Sequence, residues 1–275
     1  MLIDFHTHIF PDKIAYKTIS TLEKNSNGHA YTDGTVDGML LAMERANADI
    51  VVALPVITKP SQFDSVKAFA GSVNERFKNQ KRRIISFAGI HPLCEDIKGK
   101  MKELKESGFL GVKIHPDYQG TFIDDDGYYE ILKCAKDNDL IVVTHSGVDD
   151  GYMGEPVRCP PDLVIKLIDK VGYGKFVLGH FGAHKQWQEV LDKLCEKDVY
   201  FDTAFTMHEI QEDLFKKIID KHGSEKILFA TDCPWRDIVD DKNIILSYNL
   251  DKNVLENIFY KNALKLLKLE RDYEL

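Results

Sequence analysis

Eight short apolar runs recur along the chain, at 2–5, 50–54, 84–88, 110–114, 140–144, 176–178, 199–201 and 227–230. Most are apolar throughout instead of alternating with polar residues, which marks a strand buried on both faces. Longer stretches between them carry apolar residues at helical steps of three and four. Val36, Met39, Leu40 and Met43 form one stripe, and Val66, Phe69, Val73 and Phe77 another. Ile97, Met101 and Leu104 run up to Gly108, placed to end a helix. Tyr128, Ile131, Leu132 and Ala135 follow the acidic Asp124, Asp125 and Asp126, which suit a helix N-terminus. Val164, Leu167 and Ile168 follow Pro160 and Pro161, with proline favoured in a first turn. Later stripes begin at Trp187, at Ile210 and at Val254. Eight strand–helix units predict an α/β fold, a right-handed parallel (β/α)8 TIM barrel. A doubly wound open sheet would need a glycine-rich turn after the first strand, where this chain has His6-Thr7-His8. Residues 18–33 show no pattern and are read as an irregular cover.

No Pro/Gly/Ser linker or low-complexity tract divides the sequence, so residues 1–275 are read as one domain. The net charge of −8, from 36 basic and 44 acidic residues, argues against a nucleic-acid partner. No apolar run has the length of a membrane span, and the N-terminus lacks the basic and apolar regions of a signal peptide. The five cysteines are odd in number and without a CxxC pair, as expected of reduced thiols in a cytoplasmic protein. The expected partner is a small-molecule substrate; association with further copies of the chain is left open.

In such a barrel every strand ends at one mouth. Seven of the ten histidines (6, 8, 91, 115, 145, 180 and 184) lie at or just past an expected strand end. One of them alone would read as a hydrogen-bonded core histidine; together they read as a metal site. The expected ligands are His6, His8, His145 and Asp232, converging about 2.0–2.2 Å from one ion. Three neutral nitrogens and a carboxylate suit Zn2+ first, with Mn2+, Fe2+ or Co2+ as alternatives. Asp232 is also expected to exchange a proton with a water in the site, and His180 to polarise substrate, move a proton or hold a second metal. Arg158 and Arg236 are candidate forks for a substrate carboxylate, or else surface ion pairs. Tyr152 and Met153, within 146–160, are candidate lid residues, Cys233 is expected to pack behind the site, and Asp202 either supports a ligand or ends a strand without further duty.

The set Asp4-Phe5-His6-Thr7-His8, Gly111-Val112-Lys113-Ile114-His115-Pro116, Thr144-His145, Gly179-His180-Phe181-Gly182 and Thr231-Asp232-Cys233-Pro234-Trp235 resembles the amidohydrolase superfamily, in its amidohydrolase-related branch. Ile258-Phe259-Tyr260-Lys261-Asn262-Ala263 resembles that family's last helix. The resemblance implies a distorted TIM barrel, one or two divalent metals and, most commonly, hydrolysis of an amide, ester or lactone. It makes His6, His8, His145 and Asp232 ligands and His180 a catalytic or second-metal histidine. Lys113 stands where some two-metal members carry a carboxylated lysine; the other reading is a free cation that binds a substrate anion. His115 is a further candidate on the substrate side. The same branch includes metal-dependent decarboxylases and hydratases, and a metal-binding barrel without catalysis is the third reading.

Overall fold

The computed structural model describes residues 1–26 and 28–273. Strand β1 (Ile3–Thr7) pairs in parallel with β2 (Ile50–Ala53), and β2 with β3 (Arg83–Ser86). A second parallel series runs β4 (Ala88–Gly89), β5 (Gly111–Ile114), β6 (Ile141–Thr144), β7 (Phe176–Leu178), β8 (Tyr200–Asp202) and β9 (Ile227–Leu228). β3 and β4 are two halves of one extended segment, and Phe87 between them donates its N–H to Ala53 O at 2.9 Å. The ring is completed between β9 and β1. Phe5 N–H donates to Phe229 O at 2.9 Å, Asp232 N–H to His6 O at 2.8 Å, and Thr7 bridges Cys233 in parallel. The fold is a TIM barrel, and the eight apolar runs are its staves.

The helices are α1 (Asp12–Ser26), α2 (Val36–Ala46), α3 (Phe63–Phe77), α4 (Ile97–Glu106), α5 (Pro116–Gln119), α6 (Asp126–Asn138), α7 (Pro161–Val171), α8 (Trp187–Glu189), α9 (Glu212–His222), α10 (Ile238–Ser247), α11 (Lys252–Glu256) and α12 (Asn262–Leu267). A wider π turn, Val190–Leu194, continues α8, and another, Asn257–Lys261, joins α11 to α12. Gly108 follows α4 at φ 82°, where a side chain would be strained. Residues 18–33 depart from the expectation: they are helical through Ser26, and Asn27 lies outside the described residues. The stripe was hard to read because few apolar side chains of α1 are buried, Ala15 and Ile19 among them, while Ile14 and Tyr16 face solvent.

Alternation of side chains along each strand divides two cores. Ile50, Val52, Leu54, Ile141 and Val143 belong to an inner cluster, whereas Val51, Ala53 and Val142 pack outward with Met39, Met43 and Phe77 of the helices. Fully burying one such side chain contributes roughly 1.5–3 kcal/mol. Ala263, Leu264, Leu266 and Leu267 of α12 join Ile3 and Ile141 in the inner core and plug the end where the strands begin. The opposite end is left to polar side chains. All five cysteines are unpaired and buried.

Candidate metal centre and active site

Between Asp4 and Thr7 the pairing of β1 with β2 slips by one residue. Such a bulge re-aims side chains. Phe5 stays in the inner core while His6 turns to the mouth beside His8. His8 Nε2 lies 2.9 Å and His6 Nε2 3.4 Å from Asp232 Oδ1. Both outer nitrogens are committed: His6 Nδ1 is 2.9 Å from Asp202 Oδ2, and His8 Nδ1 is 2.9 Å from Leu54 O. A carbonyl or carboxylate oxygen only accepts, so each Nδ1 carries the proton and each Nε2 presents a lone pair. Lone pair therefore faces carboxylate oxygen, an arrangement that a cation between them relieves. The two ring planes stand 68° apart, so both lone pairs can reach one point. The donor set fits a divalent metal.

The surroundings hold these groups in place. Asp202 Oδ1 accepts the N–H groups of His180 at 3.0 Å and Ala204 at 3.1 Å, so one buried carboxylate orients His6 and the next strand end together. Asp4 accepts from Thr231 Oγ1 at 2.5 Å and from the N–H of Thr231 at 3.1 Å, fixing the residue before Asp232. Asp232, His180 and Phe181 have φ of 70°, 59° and 57°. Left-handed backbone at non-glycine residues is strain of the kind that accumulates at functional sites. Lys113 Nζ donates to His6 Nε2 at 2.8 Å. Burial lowers its pKa to about 8, against the raising effect of Asp202 and Asp232. Burial first, and Lys113 second, hold His6 well below the usual imidazole range, so it is neutral at pH 7.

His145 stands outside this group. Its Nδ1 is 2.8 Å from His180 Nε2, and His180 Nδ1 is 3.0 Å from Ala204 O. His180 thus donates through Nδ1 and accepts through Nε2, which puts the His145 proton on Nδ1. The remaining nitrogen, His145 Nε2, has no hydrogen-bond partner and lies 3.9 Å from Asp117 Oδ2 and 4.0 Å from Asp149 Oδ2. His115, His145 and Asp149 bring three donor atoms close together. The two rings stack at 4.3 Å and only 12° from parallel, so their in-plane lone pairs cannot converge on one ion. Burial pushes the Asp149 carboxyl up to about 7.

Both arginines are ion-paired to carboxylates. Arg158, largely buried, lies 3.5 Å from Asp117 and 3.3 Å from Glu155; Arg236 lies 3.3 Å from Glu209 and over the Phe205 ring at 3.8 Å. Tyr152 closes against Tyr118, ring centroids 5.4 Å apart, and Tyr118 against His115 at 4.2 Å, so an aromatic wall covers one side of the mouth. Met153 is exposed, and Cys233 is buried behind the site as expected. His91 is occupied in its own turn, accepting from Leu93 N–H at 3.1 Å. Asp4, Asp117, Asp149, Asp150 and Glu209 were not singled out from the sequence. Of these only Asp4, one strand repeat before His6, carried a signal, since a carboxylate buried at that spacing needs a partner.

A barrel with imidazoles and a carboxylate convergent at its mouth defines the class: a metal-dependent TIM-barrel enzyme. The chain belongs to the amidohydrolase family, whose model matches residues 3–269. No curated protein matches it in sequence. Among solved structures it is similar to a TIM-barrel protein from Bordetella bronchiseptica, at 14% identity and TM-score 0.76, with 98% of each chain covered. A 2,6-dihydroxybenzoate decarboxylase from Rhizobium matches at 14% identity and TM-score 0.69, over 98% of this chain and 99% of that one. A dihydroxybenzoic acid decarboxylase from Polaromonas, with bound manganese and the inhibitor 2-nitroresorcinol, matches at 16% identity and TM-score 0.70, over 100% of this chain and 98% of that one. Among the described residues no helix is long and apolar enough to cross a membrane.

Proposed function

We propose that the chain is a divalent-metal-dependent lyase that removes the carboxyl group of a small hydroxylated carboxylic acid without oxidation. One observation carries this reading. The His6–His8–Asp232 group is nearly sealed from water and faces aromatic rings and proton carriers, namely His115, Tyr118, His145 and His180. Excluding water favours protonation of carbon by a protein acid over attack by solvent. The decarboxylases among the similar structures support it. A divalent ion held by His6, His8 and Asp232 supplies a Lewis acid for the substrate's oxygens, with Mn2+ and Zn2+ the first ions to load.

The chain's own residues do the rest. Asp202 keeps the His6 proton on Nδ1, and His180 stays neutral because burial first, and the nearby His145 next, hold it well below the imidazole range. The aromatic wall of Tyr118 and Tyr152 orients a planar acid. In the reaction the bond from substrate carbon to carboxyl breaks, and its electron pair stays on that carbon. A proton from the Asp149 carboxyl, which burial pushes up to about 7, closes the valence, leaving Asp149 ionised until water reprotonates it, and CO2 leaves. Hydrolysis of an amide, ester or lactone is the second reading. It is favoured by Asp232 Oδ1 standing within 3.4 Å of both Nε2 atoms, where the same carboxylate can accept a proton from water.

The test is turnover by metal-loaded protein on hydroxybenzoates and on a panel of amides, esters and lactones. Release of CO2 equal to acid consumed, abolished by EDTA and restored by metal, is expected. Cleavage products without CO2 establish hydrolysis instead. Full activity after chelation refutes both.

A further inference from the structure

A second cluster of donor atoms lies beside the first and shares none of its residues. His184 follows β7, and its backbone is bridged to Gly147, with its N–H donating to Ser146 O at 2.9 Å. The residue is only 3% exposed, yet neither ring nitrogen has a hydrogen-bond partner. Nε2 is 3.8 Å from Asp150 Oδ2 and 3.8 Å from Glu209 Oε2. Both separations exceed a hydrogen bond. Each carboxylate has its other oxygen occupied: Lys185 Nζ lies 2.6 Å from Asp150 Oδ1, and Arg236 Nη2 lies 3.3 Å from Glu209 Oε1. Two carboxylate oxygens and one buried imidazole nitrogen are thus directed at a common point, all within 4.8 Å of one another.

The distances suit an ion better than a proton. Two donors each about 2.1 Å from a tetrahedral zinc-sized ion lie about 3.4 Å apart, so shifts of a few tenths of an ångström close the site on an ion. We infer that Asp150, His184 and Glu209 form a second divalent-cation site, separate from His6, His8 and Asp232. It joins the segments that follow β6, β7 and β8, and so clasps the 146–160 cover over the mouth. Lys185 also lies 3.7 Å from Glu209 Oε2, and this cation must give way. It can, since its side chain is 38% exposed and reaches water by a change of rotamer. Arg236 keeps its stack on Phe205 and holds Glu209 in orientation.

The experiment is metal content per chain after loading with Zn2+ and gel filtration, read by mass spectrometry of the metal. Wild type is expected to retain two equivalents. Glu209→Gln, a change at a partly exposed position, and Asp150→Asn are each expected to retain one. The double variant His6→Ala/His8→Ala is also expected to retain one, and adding Asp150→Asn to it to retain none. Zn2+ should slow hydrogen exchange of 148–153 in His6→Ala/His8→Ala but not once Asp150→Asn is added. One equivalent in wild type that is lost in His6→Ala/His8→Ala, or two retained in both single variants, overturns the site. Loss of the first centre shows separately, as an unchanged count in His6→Ala/His8→Ala.

Discussion

Replacing Asp202 by Asn separates what this residue does for the metal from what it does for the fold. Oδ2 accepts the His6 Nδ1 proton at 2.9 Å, and Oδ1 accepts two backbone N–H groups at 3.0 and 3.1 Å. Asn keeps one accepting oxygen. If that oxygen serves the backbone, the amide nitrogen meets His6 Nδ1–H, donor against donor. Loss of such an orienting partner typically costs 10–100-fold in metal affinity, or about 1.4–2.7 kcal/mol. The fold responds differently. Burial raises the Asp202 carboxyl to about 6, against Lys113 and the backbone N–H groups, which lower it. Its folded pKa lies above the unfolded value near 3.8. The stability it contributes is therefore complete below about pH 3.8 and is lost as pH rises to about 6. Over roughly two units that loss is about 3 kcal/mol. Asn does not ionise and does not incur it. Competition with a chelator of known affinity measures the ion, and urea unfolding of metal-free protein at pH 4 and pH 7 measures the fold. Expected are a 10–100-fold weaker ion and a wild-type-minus-variant stability difference that shifts against wild type by up to about 3 kcal/mol between those pH values. Unchanged metal affinity in a folded Asp202→Asn protein would refute the orienting role.

Three further outcomes follow from particular contacts. Lys113→Met removes a cation 2.8 Å from His6 Nε2, so metal affinity in a chelator titration should rise several-fold, since like charges at one site repel; weaker binding would establish that Lys113 is carboxylated and holds metal itself. Gly147→Ala places a Cβ 2.1 Å from His184 N at φ 85°. The left-handed backbone alone costs about 1–2 kcal/mol, the overlap adds to it, and a melting curve indistinguishable from wild type would contradict the packing described. His222 accepts from Glu196 N–H at 3.3 Å and donates to Val199 O at 3.0 Å, and burial lowers its pKa to about 4. It remains neutral while the unfolded chain protonates, so stability present above pH 6.5 falls by about 3 kcal/mol as pH drops toward 4; His222→Gln should flatten that slope in urea unfolding.

The barrel was legible because its information is local. Continuous apolar runs such as 50–54 and 140–144 admit burial on both faces only, and stripes such as Met39 and Met43 need no knowledge of what they pack against. His6, His8 and Asp232 were legible for a related reason: strand ends share one mouth whatever the details. What escaped the sequence depends on geometry finer than element order. The one-residue slip in β1 leaves no mark in composition, and the thin buried side of α1 falls below what periodicity detects. The turn of His145 toward His180 is set by a carbonyl, Ala204 O, whose position no side-chain pattern encodes. Asp117, Asp149, Asp150 and Glu209 lie beyond strand ends, where neighbours are brought together by loops instead of by period.

Those loop carboxylates give the mouth its common logic. Elsewhere in the interior donors meet acceptors: Gln119 Nε2 donates to Ile57 O and Ile90 O, and Asn262 Nδ2 to Ser224 O and Ile227 O. At the mouth acceptors meet acceptors. His8 faces Asp232, His145 faces Asp117 and Asp149, and His184 faces Asp150 and Glu209. Contacts of this kind stabilise nothing by themselves, because a buried acceptor without a proton or cation retains its desolvation cost. Lys113, Arg158, Lys185 and Arg236 supply part of the positive charge these contacts need, yet the Nε2 atoms of His8 and His145 still face carboxylate oxygen. His6 and His8, crossed at 68°, suit a shared ion, whereas His115 and His145 stack 12° from parallel beside Asp149, whose carboxyl burial pushes up to about 7. The mouth therefore sets a place for metal beside a carboxyl that can carry a proton, the division of labour the proposed decarboxylation calls for.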